Sequence, residues 1–166
     1  MLELIQVPVV SVIISILSSI GVVSYNNYTS IAKDSATKLN YNQIVKTMES
    51  EFVQCKLDND SKIFNSHKCN SSQNPSFNTL NNYFNNMQKL KNPYDNKQQV
   101  AQSNICNKGS VSITNKATGS YEVKYASIKK KEKYTSTVSS HWSSNYTQTI
   151  STKASFTCAS SGGSQS

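Results

Sequence analysis

The feature that most constrains the fold is an uncharged segment that runs from Leu4 to Ala32. Its first part, residues 4–23, is mostly Val, Ile and Leu, interrupted by Gln6, Pro8, a glycine and scattered serines. A helix of about twenty such residues is roughly 30 Å long, which matches the hydrocarbon core of a bilayer. A buried helix of a globular protein would instead show a polar stripe. We therefore predict that this segment is a helix inserted in a membrane.

The N-terminal flank does not have the form of a secretory signal. Such a signal begins with basic residues, and its shorter apolar run ends at a cleavage site between small residues. This chain begins instead with Met1, Leu2 and Glu3. We expect that it is already processed or that its insertion is directed in another way.

An amphipathic pattern continues directly from the apolar segment. Apolar residues recur mostly three or four positions apart, at Tyr28, Ile31, Ala32, Ala36, Leu39, Ile44, Val45, Met48, Phe52 and Val53. Charged residues lie between them, and no turn cluster separates the two patterns. We therefore expect one helix from about Leu2 to about Gln54, with one buried face on its second half. Pro8 and Gly21 are its expected weak points, because both residues disfavour a helix.

Four cysteines lie beyond the apolar segment, in a region rich in Asn, Ser and Thr: Cys55, Cys69, Cys106 and Cys158. An even number of cysteines in a small exported domain indicates two disulfides and an oxidising compartment. Three connectivities are possible. We favour Cys55–Cys69 and Cys106–Cys158, because each bond then closes one separate section of the chain. A zinc site is the alternative, but the chain has no Cys-x-x-Cys pair.

The rest of the chain has first helical and then strand patterns. The polar residues 56–75 are expected to form a loop closed by Cys69. A short helix is predicted from apolar residues at helical spacing: Phe77, Leu80, Tyr83, Phe84, Met87 and Leu90. Alternating apolar and polar residues then predict antiparallel strands over residues 110–114, 120–125, 134–138 and 147–156.

These patterns predict the α+β class, in which a long N-terminal helix packs against a disulfide-closed antiparallel sheet. The apolar half of the helix protrudes, and its amphipathic half packs on the sheet. The predicted organisation is a helix over residues 1–54, of which 1–27 protrude, a globular head over 55–158 and a flexible tail over 159–166.

The net charge of +8 comes from lysine, because the chain has no arginine. Most of the surplus lies in the C-terminal half, and the densest run is Lys129, Lys130, Lys131 and Lys133. Such a patch could bind DNA or another anionic surface, or it could be a solvated hairpin turn. We favour the hairpin turn, because runs of charge are usually exposed loops.

The end of the apolar segment resembles that of type IV pilins and of type II secretion pseudopilins. Residues 16–29 are Ile-Leu-Ser-Ser-Ile-Gly-Val-Val-Ser-Tyr-Asn-Asn-Tyr-Thr. They are similar to the family's Ile-Leu-small-small-Ile pattern, which is followed by two tyrosines three positions apart, here Tyr25 and Tyr28. The resemblance covers about residues 1–55, and the head is similar in outline.

The N-terminal end departs from the family pattern. Gln6 stands where the family has a glutamate that is thought to neutralise a neighbouring subunit's N-terminal ammonium, and Glu3 stands three places earlier. Pro8 is unusually early, and Val23 replaces a common proline. The resemblance implies a methylated N-terminus of the mature chain, at Met1 if that residue is the first of the mature protein and otherwise at Leu2. It implies roles in assembly for Met1, Glu3, Gln6, Pro8, Gly21, Tyr25 and Tyr28.

The resemblance implies a structural subunit of an extracellular type IV pilus, a homo-oligomeric helical filament used in adhesion or twitching motility. The subunit would reside in the inner membrane before assembly and on the cell surface afterwards. The alternatives are a minor pilin, a pseudopilin, or a membrane-anchored basic head that binds DNA or anionic surfaces. We predict no enzyme and no cofactor, because no nucleophile elbow or phosphate loop is present and His67 and His141 lie far apart in sequence.

Overall fold

The structure is a computed structural model that describes residues 3–71, 73–103, 105–116, 119–127, 130–140 and 150–155. Its first element is helix α1, Glu3–Leu57, with 55 residues. The single long helix expected from the sequence is therefore present. It continues through Pro8 and Gly21, the two expected weak points.

Most of the remaining elements form the head. In chain order they are β1 (Lys62–Ile63), β2 (His67–Lys68), α2 (Phe77–Asn82), a π-helical turn (Tyr83–Met87), β3 (Ala101–Gln102), β4 (Val111–Lys116), β5 (Ser120–Ser127), β6 (Glu132–Ser139) and β7 (Ile150–Ser155). The Ser76 hydroxyl caps α2 by accepting a hydrogen bond of 3.2 Å from the Thr79 N–H. The predicted short helix is therefore present, but its geometry changes at Tyr83.

The main sheet has the strand order β3-β4-β5-β6-β7. Strands β4 to β7 pair antiparallel, as expected from their alternating patterns, whereas the short β3 pairs parallel with β4. The register places Val111 opposite Tyr125 and Ile113 opposite Val123, and all four side chains are buried. One face of the sheet is therefore apolar and available to pack on α1.

The core lies between this sheet face and the second half of α1. The buried side chains of α1 are Thr37, Tyr41, Ile44, Val45, Met48, Phe52 and Cys55, which follow each other at helical spacing. The rings of Tyr41 and Tyr125 have centroids 5.0 Å apart, and those of Phe52 and Tyr121 stack at 5.6 Å. The predicted α+β arrangement of a long helix on a sheet is confirmed.

The prediction of which residues form the buried face of α1 is wrong in part. Tyr28 and Leu39 are 71% and 67% exposed, and Ile31 and Val53 are also exposed. At 100° per residue, Leu39 and Val53 point away from the side on which Ile44, Met48 and Phe52 lie. The apolar residues of this half therefore form two separate stripes, and only one of them packs on the head.

In the part of the chain that the structure describes, which leaves out the side chains of residues 3–8 and 19–23, no helix is both long and apolar enough to cross a membrane. That finding gives the predicted membrane insertion no support.

Candidate functional site: the protruding apolar half of the long helix

The first half of α1 presents a long apolar surface. Its described large apolar side chains between residues 9 and 17 are Val9, Val10, Val12, Ile13, Ile14, Ile16 and Leu17. Each of them is between 50% and 64% exposed. Successive residues differ in direction by 100°, so these side chains spread over about 200° of the helix circumference, and Ser11, Ser15 and Ser18 lie on the remaining side. An apolar surface that extends over more than half of the circumference is wider than the stripe of roughly 100° with which a surface helix packs on a single core.

Two serine hydroxyls on this surface are satisfied within the helix. The Ser15 hydroxyl donates to the Ser11 carbonyl at 2.7 Å, and the Ser18 hydroxyl donates to the Ile14 carbonyl at 2.7 Å. A hydroxyl that is buried without a partner would cost about 1–3 kcal/mol. These serines can therefore enter an apolar environment without that cost.

The protruding half ends where the first charged residues after Glu3 occur. The Lys33 ammonium lies 5.7 Å from the centre of the Tyr94 ring, and the Asp34 carboxylate accepts a hydrogen bond of 2.8 Å from the Ser127 hydroxyl. Both contacts join α1 to the head. The protruding part was predicted to end at residue 27, and charged residues resume at Lys33.

The tyrosine pair that carries the family resemblance lies within this protruding half. Tyr25 and Tyr28 are 68% and 71% exposed. Of the other predicted assembly residues, Met1 lies outside the described residues, as do the side chains of Glu3, Gln6, Pro8 and Gly21. Their roles in assembly remain predictions.

The predicted Cys55–Cys69 disulfide is confirmed. It joins the end of α1 to the end of β2, with the two Cα atoms 5.2 Å apart. Both cysteines are buried, which is typical of a structural disulfide and not of a reactive one. Cys106 also takes part in a disulfide. Its predicted partner, Cys158, lies outside the described residues.

The lysine run lies at the turn between β5 and β6. Lys130 and Lys131 are exposed there, Lys133 is half-buried on β6, and Lys129 lies outside the described residues. The Glu132 carboxylate accepts a hydrogen bond from Lys153 at 2.7 Å. This contact, with a further hydrogen bond from Tyr134, lowers the pKa of Glu132. The carboxylate therefore offsets part of the positive charge, and anion binding by this run remains a prediction.

Among the described residues, no group of three or more His, Cys, Asp and Glu side chains is placed to hold a metal ion. Comparisons of the chain with protein-family models, with curated proteins and with solved structures found no match. The resemblance to type IV pilins therefore rests on the sequence pattern.

Proposed function

We propose that this chain is a structural subunit of an extracellular filament of the type IV pilus kind. The apolar halves of α1 from neighbouring copies would pack together in the core of that filament. The observation that carries the proposal is the exposed apolar surface of residues 9–17, together with the Ser15 and Ser18 hydroxyls, which are hydrogen-bonded within the helix.

The free energy for assembly would come from covering this surface. Full burial of a Val, Leu or Ile side chain contributes about 1.5–3 kcal/mol. The seven side chains between Val9 and Leu17 are at least half exposed, so covering them would contribute on the order of 5–10 kcal/mol for each subunit. Because they extend over more than half of the helix circumference, a single flat partner would leave part of them exposed. Several copies of the same helix, packed in a bundle, would cover all sides.

The disulfide supports the extracellular location, because such bonds persist in oxidising compartments. Residence in the inner membrane before assembly remains a prediction.

A pair of matched substitutions tests this function. Leu17 lies in the protruding half, whereas Leu57 is the last residue of α1 and is 84% exposed. We expect Leu17→Lys to reduce the yield of surface filaments at least tenfold, because it would place a charge in the filament core. Leu57→Lys should leave the yield close to that of the wild type.

Both variants should melt at the wild-type temperature by circular dichroism, because neither side chain belongs to the core of the head. Filaments of Leu17→Lys in wild-type amounts would contradict the proposal. Equal losses in both variants would contradict it too, because the effect would then not depend on the protruding half.

A further inference from the structure

The head contains a cleft of about 520 Å³ between α2, residues 98–103 and Asn107. This volume lies within the range of about 300–1,000 Å³ that is usual for small-molecule sites. The lining includes one aromatic ring, that of Phe77, and many side-chain amides. The amides belong to Asn81, Gln98, Gln99, Gln102 and Asn107.

The lining of this cleft is neutral, although the whole chain carries a net charge of +8. A site that selects an anion or a cation typically has a charged side chain of the opposite sign. A site for an apolar ligand is lined mainly by apolar side chains. The amide-rich lining fits neither of these ligand classes. It fits a neutral ligand with many hydrogen-bonding groups.

Three of the amides are oriented by hydrogen bonds within the protein. The Asn107 amide NH₂ donates to the Gln102 side-chain oxygen, and the Gln102 amide NH₂ donates to the Gln99 carbonyl. The Asn81 side-chain oxygen accepts a hydrogen bond from Asn85. The groups of these side chains that remain to bind a ligand are the Asn81 NH₂, a donor, and the Asn107 side-chain oxygen, an acceptor.

Two further amides are available to a ligand. Gln98 and Gln99 are exposed, and their side-chain amides make no hydrogen bond to any other residue that the structure describes. Each amide offers both a donor group and an acceptor oxygen. The cleft therefore presents both kinds of partner over a short distance.

The wall of the cleft is fixed by Asn85, which lies in the π-helical turn. Its side-chain oxygen accepts hydrogen bonds from the Val100 and Ala101 N–H groups at 2.9 and 3.0 Å, and its NH₂ donates to the Ala101 carbonyl at 3.1 Å. These bonds tie the turn to β3. Short π-helical segments occur frequently at functional sites, and this one holds the wall of a candidate site.

We propose that this cleft binds a neutral carbohydrate. Each sugar hydroxyl both donates and accepts hydrogen bonds, which matches the donors and acceptors of side-chain amides. The C–H face of a pyranose ring is apolar and can pack against the partly buried Phe77 ring. The absence of charge from the lining selects against acidic sugars and sugar phosphates. This inference does not depend on assembly into a filament.

The test uses the full-length ¹⁵N-labelled chain in phosphocholine micelles. It is titrated with maltose, cellobiose, lactose and N,N′-diacetylchitobiose up to about 50 mM, which saturates a site with a Kd near 1 mM. We expect at least one disaccharide to shift the side-chain amide resonances of Gln98 and Gln99. Glucose 6-phosphate should leave them unshifted.

The double variant Gln98→Ala/Gln99→Ala removes two exposed amides and should fold normally. Followed by the Asn81 and Asn107 side-chain amide resonances, which it keeps, it should bind the same disaccharide about tenfold more weakly, whereas Gln43→Ala, an exposed glutamine on α1, should bind as the wild type. Phe77→Ala should also weaken binding. If no disaccharide shifts these resonances, or if the double variant binds as tightly as the wild type, the proposal is overturned.

The same disaccharide, coupled to beads through its reducing end, distinguishes two sources of the ligand. If the beads retain the chain, the ligand is identified as the terminus of a larger glycan. If the free sugar shifts the resonances but the beads do not retain the chain, the ligand is identified as a free sugar. Either result supports the site.

Discussion

Asn92 shows how single polar side chains hold the loops of the head. It is fully buried, its NH₂ donates to the Lys108 carbonyl at 2.8 Å, and its oxygen accepts from the Tyr94 N–H at 2.8 Å. Gly109 lies against this amide with a φ of 76°, and a Cβ at that position would collide with Asn92. A buried amide and a left-handed glycine are therefore matched to each other.

His67 makes the stability of the head depend on pH. Desolvation by partial burial lowers the pKa of His67 from its usual 6.5, and a backbone hydrogen bond with Gln73 opposes that shift in part. The unfolded chain therefore binds a proton more readily than the folded chain does. The free energy of unfolding should fall as the pH drops below 6.5, and this loss should end near the lowered pKa.

We expect NMR titration to give a pKa for His67 below 6.5. His67→Gln should remove the part of the stability loss that occurs between pH 6.5 and the pKa measured for the folded chain, as followed by urea unfolding at a series of pH values. A pKa at or above 6.5, or an unchanged pH dependence in the variant, would contradict the burial argument.

The residues that form the core of the head were only partly predictable. Ile44, Met48 and Phe52 were predicted correctly, because their spacing places them on one side of a helix. Tyr41 and Thr37 also lie on this side but were not predicted, because both carry a hydroxyl and a search for apolar residues passes over them. Leu39 was assigned to this side wrongly, because a pattern of threes and fours does not separate two apolar stripes.

At the scale of elements, the Cys55–Cys69 disulfide joins α1 to the β1–β2 hairpin across a sequence separation of 14 residues. In the chain-entropy model, a loop of this length contributes about 3 kcal/mol to the free energy of unfolding. We expect Cys55→Ala/Cys69→Ala to lose about that amount in urea unfolding. Alanine is chosen over serine, because serine would bury a hydroxyl at each of these two positions, which are closed to solvent.

The variant should keep the circular dichroism spectrum of the wild type, because most of the core lies between α1 and the sheet. A loss below about 1 kcal/mol would show that the hairpin is held mainly by packing, and the chain-entropy account of this bond would then be wrong.

The longer strands were predictable from sequence, and the shorter elements were not. Strand β5 alternates polar and apolar residues from Ser120 to Tyr125, β4 does so from Val111 to Thr114, and β6 places Tyr134 and Val138 on one face, which is enough to show a period of two. Strands β1, β2 and β3 have two residues each, too few for any period. The π-helical turn was missed as well, since its apolar spacing is close to that of the α-helix before it.

On the scale of the whole molecule, the chain combines a head that has its own core with an apolar helix that extends beyond it. The sequence predicted this plan, because the uncharged segment and the amphipathic segment differ clearly in composition. The cleft that we propose to bind carbohydrate could not be predicted in the same way. Its amides come from α2, residues 98–103 and Asn107, and only the folded head brings these parts of the chain together.

The central claim is that the protruding half of α1 assembles copies of this chain into filaments. Electron microscopy of the surface fraction sheared from cells that carry the protein, with mass spectrometry of the filaments, tests it most directly. The proposal predicts thin filaments in which this chain is the main component. A chain that stays with the cells without filaments, or that occurs in them only in traces, would contradict the claim.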